Sequence, residues 1–343
     1  MQASCSNQQD DYAHSKKAGN SKQTKKLLII SVLGIVVVQT AFLCFFMLRT
    51  KVFHKVDSIG AEQNEKKVAQ KNKDVMLTKQ IEFFNVIDLP GGEELRMVKV
   101  EAGSFEMSSR DGENDTDEVA HPATLTQDFY IAKTEVTQAQ WEVVMGYNPS
   151  DSKGDNLPVE MVSWDDAMAF CQKLNEAGIV PKRWIFTLPT ETQWEYAARG
   201  GDRSRRYKYS GSNNADEVAW YYENSGDYRL DDSDYPAKLI SNHPKTHPVG
   251  KKKANELGLC DMSGNVCEWC LDDWQEDSSK LIPEFTRRTK EGNMVLNREK
   301  RAIRGGCYVW PASYCRSMNR GDSRNPHERV WYIGFRPALV PVQ

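Results

Sequence analysis

The run DMSGNVCE, Asp261 to Glu268, sets two carboxylates seven residues apart around Ser263, Gly264 and Asn265, residue types suited to a turn. Folded back on itself, such a turn can bring both side chains onto one hard cation, with backbone carbonyls completing an oxygen shell. The plain alternative is a hydrogen-bonded Asp–Glu turn. Within the same run begins CEWC, Cys267 to Cys270, the spacing of a redox dithiol or of half a zinc site. No second CxxC exists, so the two cysteines are read as having separate, buried roles. The chain has eight cysteines, Cys5, Cys44, Cys171, Cys260, Cys267, Cys270, Cys307 and Cys315, five of them in its last third. A group of this kind is a disulfide cluster, a metal or redox site, or a set of buried apolar thiols, and the compartment decides among these. His121, His243, His247 and His327 are scattered, and none pairs with a nucleophile, so they are expected at surface or structural positions.

A second concentration of functional side chains lies in AIRGGCYVWPASYCRSMNRG, Ala302 to Gly321. Tyr308, Trp310, Tyr314, Arg316 and Arg320 fall there, with Trp331 and Tyr332 shortly after. Aromatic residues and arginines dominate recognition surfaces, although part of the set must also serve a core. Tyr308 and Trp310 are the best surface candidates, because strand alternation puts them on the same side.

The elements that position these residues begin at Phe83, where the sequence turns dense in Gly, Pro, Asn and aromatics. TQAQWEVVM from Thr137, SWDDAMAFCQKLN from Ser163 and TETQWEYAARGG from Thr190 each open with Ser or Thr followed three residues later by Gln or Asp, which predicts three capped helices. Gly200 ends the third. Trp194, Tyr196 and Ala197 are suited to anchoring a core, and Glu195 and Arg199 to an ion pair. Short alternating stretches such as MVKVEAGSF and FYIAKTEV predict strands, and the whole reads as a loop-rich α+β domain. The glycines of RGG after Arg304 and of GFR at Gly334 are expected to serve close backbone approach or positive φ rather than chemistry.

Upstream, residues 27–48 (LLIISVLGIVVVQTAFLCFFML) carry no charge. As a helix rising about 1.5 Å per residue they would cross a hydrocarbon core of ~30 Å. Lys16, Lys17, Lys22, Lys25 and Lys26 precede this run, against Arg49, Lys51 and Lys55 after it, a bias that puts the N-terminus in the cytoplasm. A cleaved signal peptide is the rival, but the run is too long for one and lacks a small-residue cleavage site. The expected organisation is a disordered cytoplasmic tail at 1–26, a transmembrane helix at 27–48, a charged stalk at 49–82 and an extracytoplasmic domain at 83–343. Net charge is −3, with 45 basic against 48 acidic residues, so no whole-protein footprint for nucleic acid exists.

Read in order, GSFEM at Gly103, EVTQAQWEVVMG from Glu135, LPVEMVSWDDAMAFCQKLN from Leu157, LPTETQWEYAARGG from Leu188, THPVG from Thr246, LGLCDMSGNVCEW from Leu257, AIRGG from Ala302 and GFRPA from Gly334 resemble the ordered blocks of the formylglycine-generating enzyme, or sulfatase-modifying factor, family. The resemblance implies that family's variant of the C-type-lectin-like fold, with little regular secondary structure. It implies a calcium ion held by Asp261, Gly264, Val266 and Glu268. A second family calcium site does not carry over, because the segment at Ala219, Trp220 and Tyr221 lacks the side-chain ligand. The catalytic members bind copper(I) with two cysteines five residues apart, which correspond here to Trp310 and Cys315. Indole cannot replace a thiolate, so the copper pair is incomplete and copper is not expected. Cys307 stands where those enzymes have a serine and Cys267 where they have a tryptophan. Both positions line one pocket in the family, which implies that the two thiols face each other and, outside the cytoplasm, can form a disulfide. The iron-dependent sulfoxide synthases of the family need a histidine-rich helical domain for which residues 1–82 have no room.

The function expected on these grounds is that of a non-catalytic, membrane-anchored binding or accessory module for a protein or saccharide ligand, in a bacterial envelope, with Tyr308, Trp310, Tyr314 and Arg316 on the ligand face. One alternative is a formylglycine-generating-type oxidoreductase acting on a protein cysteine, with Cys315 and a relocated thiol, Cys307 or Cys267, holding the metal. The other is an envelope scaffold.

Overall fold

The computed structural model describes residues 84–108, 120–281, 299–320 and 322–342, with Leu43, Met47, Leu48 and Lys67. Those four isolated positions are helical. Otherwise the tail at 1–26, the transmembrane helix at 27–48 and the stalk at 49–82 lie outside the described residues. Among the described residues no helix is long and apolar enough to cross a membrane. Lys79–Gln343 forms one compact unit.

Its strands are short. We label them β1 (Val86–Asp88), β2 (Glu94–Val100), β3 (Gly103–Met107), β4 (His121–Leu125), β5 (Phe129–Ala132), β6 (Trp184–Thr187), β7 (Cys267–Asp273), β8 (Arg301–Arg304), β9 (Ser323–Arg324), β10 (Ile333–Gly334) and β11 (Ala338–Pro341). They make a five-stranded sheet in the order β1-β2-β5-β11-β6, a four-stranded sheet β10-β7-β8-β9 and the pair β3-β4. The alternating stretches MVKVEAGSF and FYIAKTEV supply β2, β3 and β5. Chain-distant strands meet in both larger sheets, as in the antiparallel pairing of Leu339 with Tyr130 and with Phe186 and the parallel pairing of Cys267 with Ile333.

The three predicted helices form where their caps place them: α1 (Gln138–Met145), α2 (Trp164–Glu176) and α3 (Glu191–Ala198). In each, the Ser or Thr side chain accepts the backbone N–H three residues on, and the Gln or Asp there accepts the cap's own N–H. After α3, Gly200 takes φ +89, a left-handed turn in which a Cβ would sit 2.7 Å from the Glu256 carboxylate.

Most surface helices bury one face, but all eight residues of α3 are buried. Trp194, Tyr196 and Ala197 join an apolar cluster with Phe129, Ile131 and Val340. A second cluster stacks Trp141 on Phe170 at 5.7 Å between ring centroids, with Phe335 edge-on to both. Burying all of α3 puts its carboxylates in the interior, where each needs a cation. The Arg304 guanidinium donates to Glu191 and to Glu195, at 2.8 Å each, and Arg320 Nε donates to Glu191 at 2.6 Å. Arg199, one turn after Glu195, donates to it at 3.0 Å, the ion pair suited to that spacing. Burial alone would raise the Glu191 pKa, but Arg320 and Arg304 overcome it and hold the carboxyl below its ordinary value.

Replacing Arg304 with Met leaves two buried carboxylates short of a guanidinium. The expected cost is about 3–5 kcal/mol, read as a lower urea midpoint at unchanged slope. An unchanged midpoint would mean that the side chains are not paired in solution.

Candidate functional site

The site is assembled where β7 meets the segment after β8. Glu268 of β7 lies opposite Arg304 of β8, and the chain then turns away through Gly305 at φ +96 and Gly306 at φ +68. A Cβ on Gly306 would sit 2.8 Å from Cys315 Sγ and 2.7 Å from the Tyr314 carbonyl oxygen, so the close approach demands glycine. Two positive-φ residues also end the strand, which corrects the alternation argument for Tyr308 and Trp310. The Gly264 N–H donates to the Gly305 oxygen at 2.8 Å and the Tyr308 N–H to the Asn265 oxygen at 2.9 Å, holding residues 305–308 beside the start of β7.

This arrangement gathers three fully buried thiols, those of Cys267, Cys307 and Cys315. Cys267 and Cys307 are within hydrogen-bonding reach of each other, and burial, then that contact, push the Cys267 pKa well up. The Cys307 backbone N–H points at the Cys315 sulfur, whose pKa burial also raises strongly. All six cysteines of the described residues are free thiols. Cys270 faces away from the other three: it belongs to the apolar cluster around α3, whereas Cys267 packs with Trp269 and Cys307 in the other. Three residues along a strand reverse the face, so CEWC is not a dithiol pair.

On the other side of β7, Glu268 accepts two hydrogen bonds from Arg336, both at 2.7 Å, and one from the Trp194 indole, also at 2.7 Å. Both of its oxygens are therefore engaged. Glu135 and Asp261 lie within the same electrostatic field. Burial, then the charges of Asp261 and Glu268, raise the Glu135 pKa far above its ordinary value. Burial pushes Asp261 up to about 6, against the Gly250 N–H, which donates to its Oδ2 at 2.6 Å. Asp261 Oδ1 is buried with no hydrogen-bond partner. Of the four expected calcium ligands, Asp261 is thus the side chain with a lone pair to offer, while Glu268 is already neutralised by a guanidinium. Among the described residues no group of three or more His, Cys, Asp or Glu side chains is placed to hold a metal ion.

The expected ligand face divides. Tyr308 and Arg316 are buried, at 4% and 7% exposure, and Arg316 Nε donates to the Ser313 carbonyl oxygen. Tyr314 and Trp331 are the exposed members, at 42% and 41%. Rings in contact run from Tyr314 through Trp310, Tyr332 and Trp331 to Tyr308, with centroids 5.1–5.7 Å apart. Sequence alone missed Tyr235, which is 37% exposed and packs edge-on against Tyr222. The histidines are engaged locally: His121 with Ser278, His243 with Asp227, His327 with Asp165, and His247 stacked on Trp220 at 3.7 Å.

Comparison with known proteins agrees with the fold. The profile of the sulfatase-modifying factor enzyme 1-like domain matches residues 88–340. The chain is similar to the chaperone protein LppX of Paenibacillus barcinonensis, 42% identical over 226 residues that cover 57% of this chain and 77% of that one. It is similar to the formylglycine-generating enzyme of Thermomonospora curvata, 32% identical over 216 residues, covering 60% of this chain and 63% of the enzyme. Among solved structures it is similar to Treponema denticola variable protein 1, with a TM-score of 0.61 and 28% identity over 75% of this chain and 98% of that one.

Below the aromatic row, Glu160 is buried at 1% exposure, with Oε1 accepting the Ser152 N–H at 3.0 Å and Oε2 unpartnered. Burial pushes its pKa from 4.5 to about 7. The folded chain keeps this proton after the unfolded chain has lost it. Stability from this group is therefore full below about pH 4.5 and falls, by something on the order of 3 kcal/mol, as pH rises to about 7. Glu160→Gln should flatten that part of the stability profile, as measured by urea denaturation from pH 4.5 to 8. A slope identical to wild type would assign the proton uptake elsewhere.

Proposed function

The chain belongs to the sulfatase-modifying factor enzyme 1-like domain family, and from that premise we propose that it is a non-catalytic binding or accessory module of the formylglycine-generating type. The observation that carries the proposal is the surrounding of Cys315. Its thiol is fully buried, and Trp310 occupies the position five residues earlier. Copper(I) binding there would need a second soft ligand and a thiolate, and burial opposes the thiolate. The segment presents two rings to solvent, Tyr314 and Trp331, beside the exposed charged side chains Glu328 and Arg329. Rigid rings of this kind make contact area at low entropic cost and suit a protein or saccharide ligand. One relative bears the name chaperone protein and another the name of an enzyme, so the site rather than the fold must decide between such roles. The apolar run at 27–48 and the lysines before it support a tether in a bacterial envelope, with the domain on the extracytoplasmic side.

A second function is favoured by one specific contact, the Cys307 backbone N–H against Cys315 Sγ. With Cys307 as the relocated thiol, a copper(I)-dependent oxidoreductase of the formylglycine-generating type becomes chemically conceivable. Titrating the reduced full-length chain with copper(I) against a competing chelator, with Cys315→Ser alongside, separates the two functions. Binding no tighter than in the variant is the expected outcome. One-to-one binding lost in the variant would move the assignment to the oxidoreductase.

We also propose calcium at the Asp261–Glu268 turn. Glu135, Asp261 and Glu268 set three carboxyl groups against the Arg336 guanidinium and the smaller influence of Lys252 on Asp261, and the remaining excess is relieved either by protons or by a divalent cation. Asp261 and Glu268 at the two ends of the turn, together with its backbone at Gly264 and Val266, would supply oxygen donors of the type calcium takes. At a free concentration a hundredfold above its Kd, calcium would add about 2.7 kcal/mol, a rise of roughly 5–10 °C in Tm that a chelator reverses and Asp261→Asn abolishes. A Tm indifferent to chelator would assign the neutralisation to protons.

A further inference from the structure

We infer that Cys267 and Cys307 are a disulfide-forming pair, a structural crosslink between β7 and the turn after β8. The two segments are already fastened side by side by the Gly264–Gly305 and Tyr308–Asn265 backbone hydrogen bonds, which flank Cys307 and lie just before Cys267. Their thiols are within hydrogen-bonding reach, and both are completely buried in the same apolar cluster. An S–S bond of about 2.0 Å is the spacing that side chains on two segments fastened side by side can reach. The competing partners are worse placed. Cys315 meets the backbone N–H of Cys307, Cys270 lies in the other cluster, and Cys171 sits on α2.

In the oxidation, the two S–H bonds break and one S–S bond forms. Two electrons and two protons pass to a disulfide oxidant such as oxidised glutathione, which leaves as two thiols. Because the folded pair is closed to solvent, the bond forms during folding and, once buried, resists exchange. The crosslink also has a functional consequence. It consumes both thiols near Cys315, those of Cys267 and Cys307, so among the described residues an oxidised domain has no second thiol beside that residue. In the cell the pair depends on the extracytoplasmic location proposed above, whereas the geometry of the pair does not.

The test is to denature the full-length chain in mild detergent, refold it across a series of glutathione mixtures, alkylate under denaturing conditions, digest and map the linkages by mass spectrometry. The expected product in oxidising mixtures is a Cys267–Cys307 linked peptide, with Cys171, Cys260, Cys270 and Cys315 alkylated. Closing a loop of this length should raise Tm by about 10 °C over the reduced chain. That difference should vanish in Cys267→Ala and in Cys307→Ser and persist in Cys315→Ser. Alkylation of both Cys267 and Cys307 in every mixture, or a Cys307–Cys315 link, would overturn the inference. Alkylating intact cells before lysis tests the location separately: a pair linked after refolding but free in cells would refute the compartment and leave the pair standing.

Discussion

Glu191 is the group on which the site depends. Its carboxylate, fully buried at the start of α3, accepts hydrogen bonds from Arg304 at one end of the segment 304–320 and from Arg320 at the other. Arg304 also donates to the Ser317 carbonyl oxygen, and Arg320 to those of Gln275 and Glu276. A single carboxylate therefore fixes both ends of the loop that carries Cys307, Trp310, Tyr314 and Cys315. Such a network gains little net stability, since desolvating the charges offsets most of their attraction, but a mispaired alternative would strand a buried charge. Its contribution is to geometry: it holds a segment with almost no regular secondary structure in one place.

A second ion pair works the same way on the opposite face of β7. Arg336 is fully buried and joins Glu268 to the carbonyl oxygens of Ala132, Lys133 and Cys260. Trp194 of α3 reaches the same carboxylate. β7 is thus clamped between a charged side and a thiol side, and the character of each residue follows from the face it takes. Glu268 is held by cations, whereas Cys267, one residue earlier, packs among apolar side chains and the thiol of Cys307.

The chemistry available to such a site is narrow. Three thiols lie fully buried in an apolar interior, where burial raises the pKa of Cys267 and Cys315, while Tyr314 and Trp331 are the rings that reach solvent. The family and the proposed function rest on different residues, because a fold shared with enzymes does not by itself decide what a site does.

The sequence by itself determined the local structure. The three capping boxes, the stop at Gly200, the α+β texture and the ordered family blocks were legible because each is written in neighbouring residues, whose hydrogen bonds close within a few positions. The family resemblance implied that Cys267 and Cys307 line one pocket, and both are buried in one apolar cluster. Only the tertiary structure decided which aromatic residues reach solvent. Alternation put Tyr308 and Trp310 forward, but consecutive left-handed glycines end β8 before either residue, and burial falls on Tyr308 while Tyr314 and Trp331 stay exposed. It also decided that Glu268 belongs to Arg336, a partner 68 residues away, and that one carboxylate on α3 anchors both ends of the site loop. Those pairings depend on which faces of distant strands meet, and spacing along the chain carries no record of that.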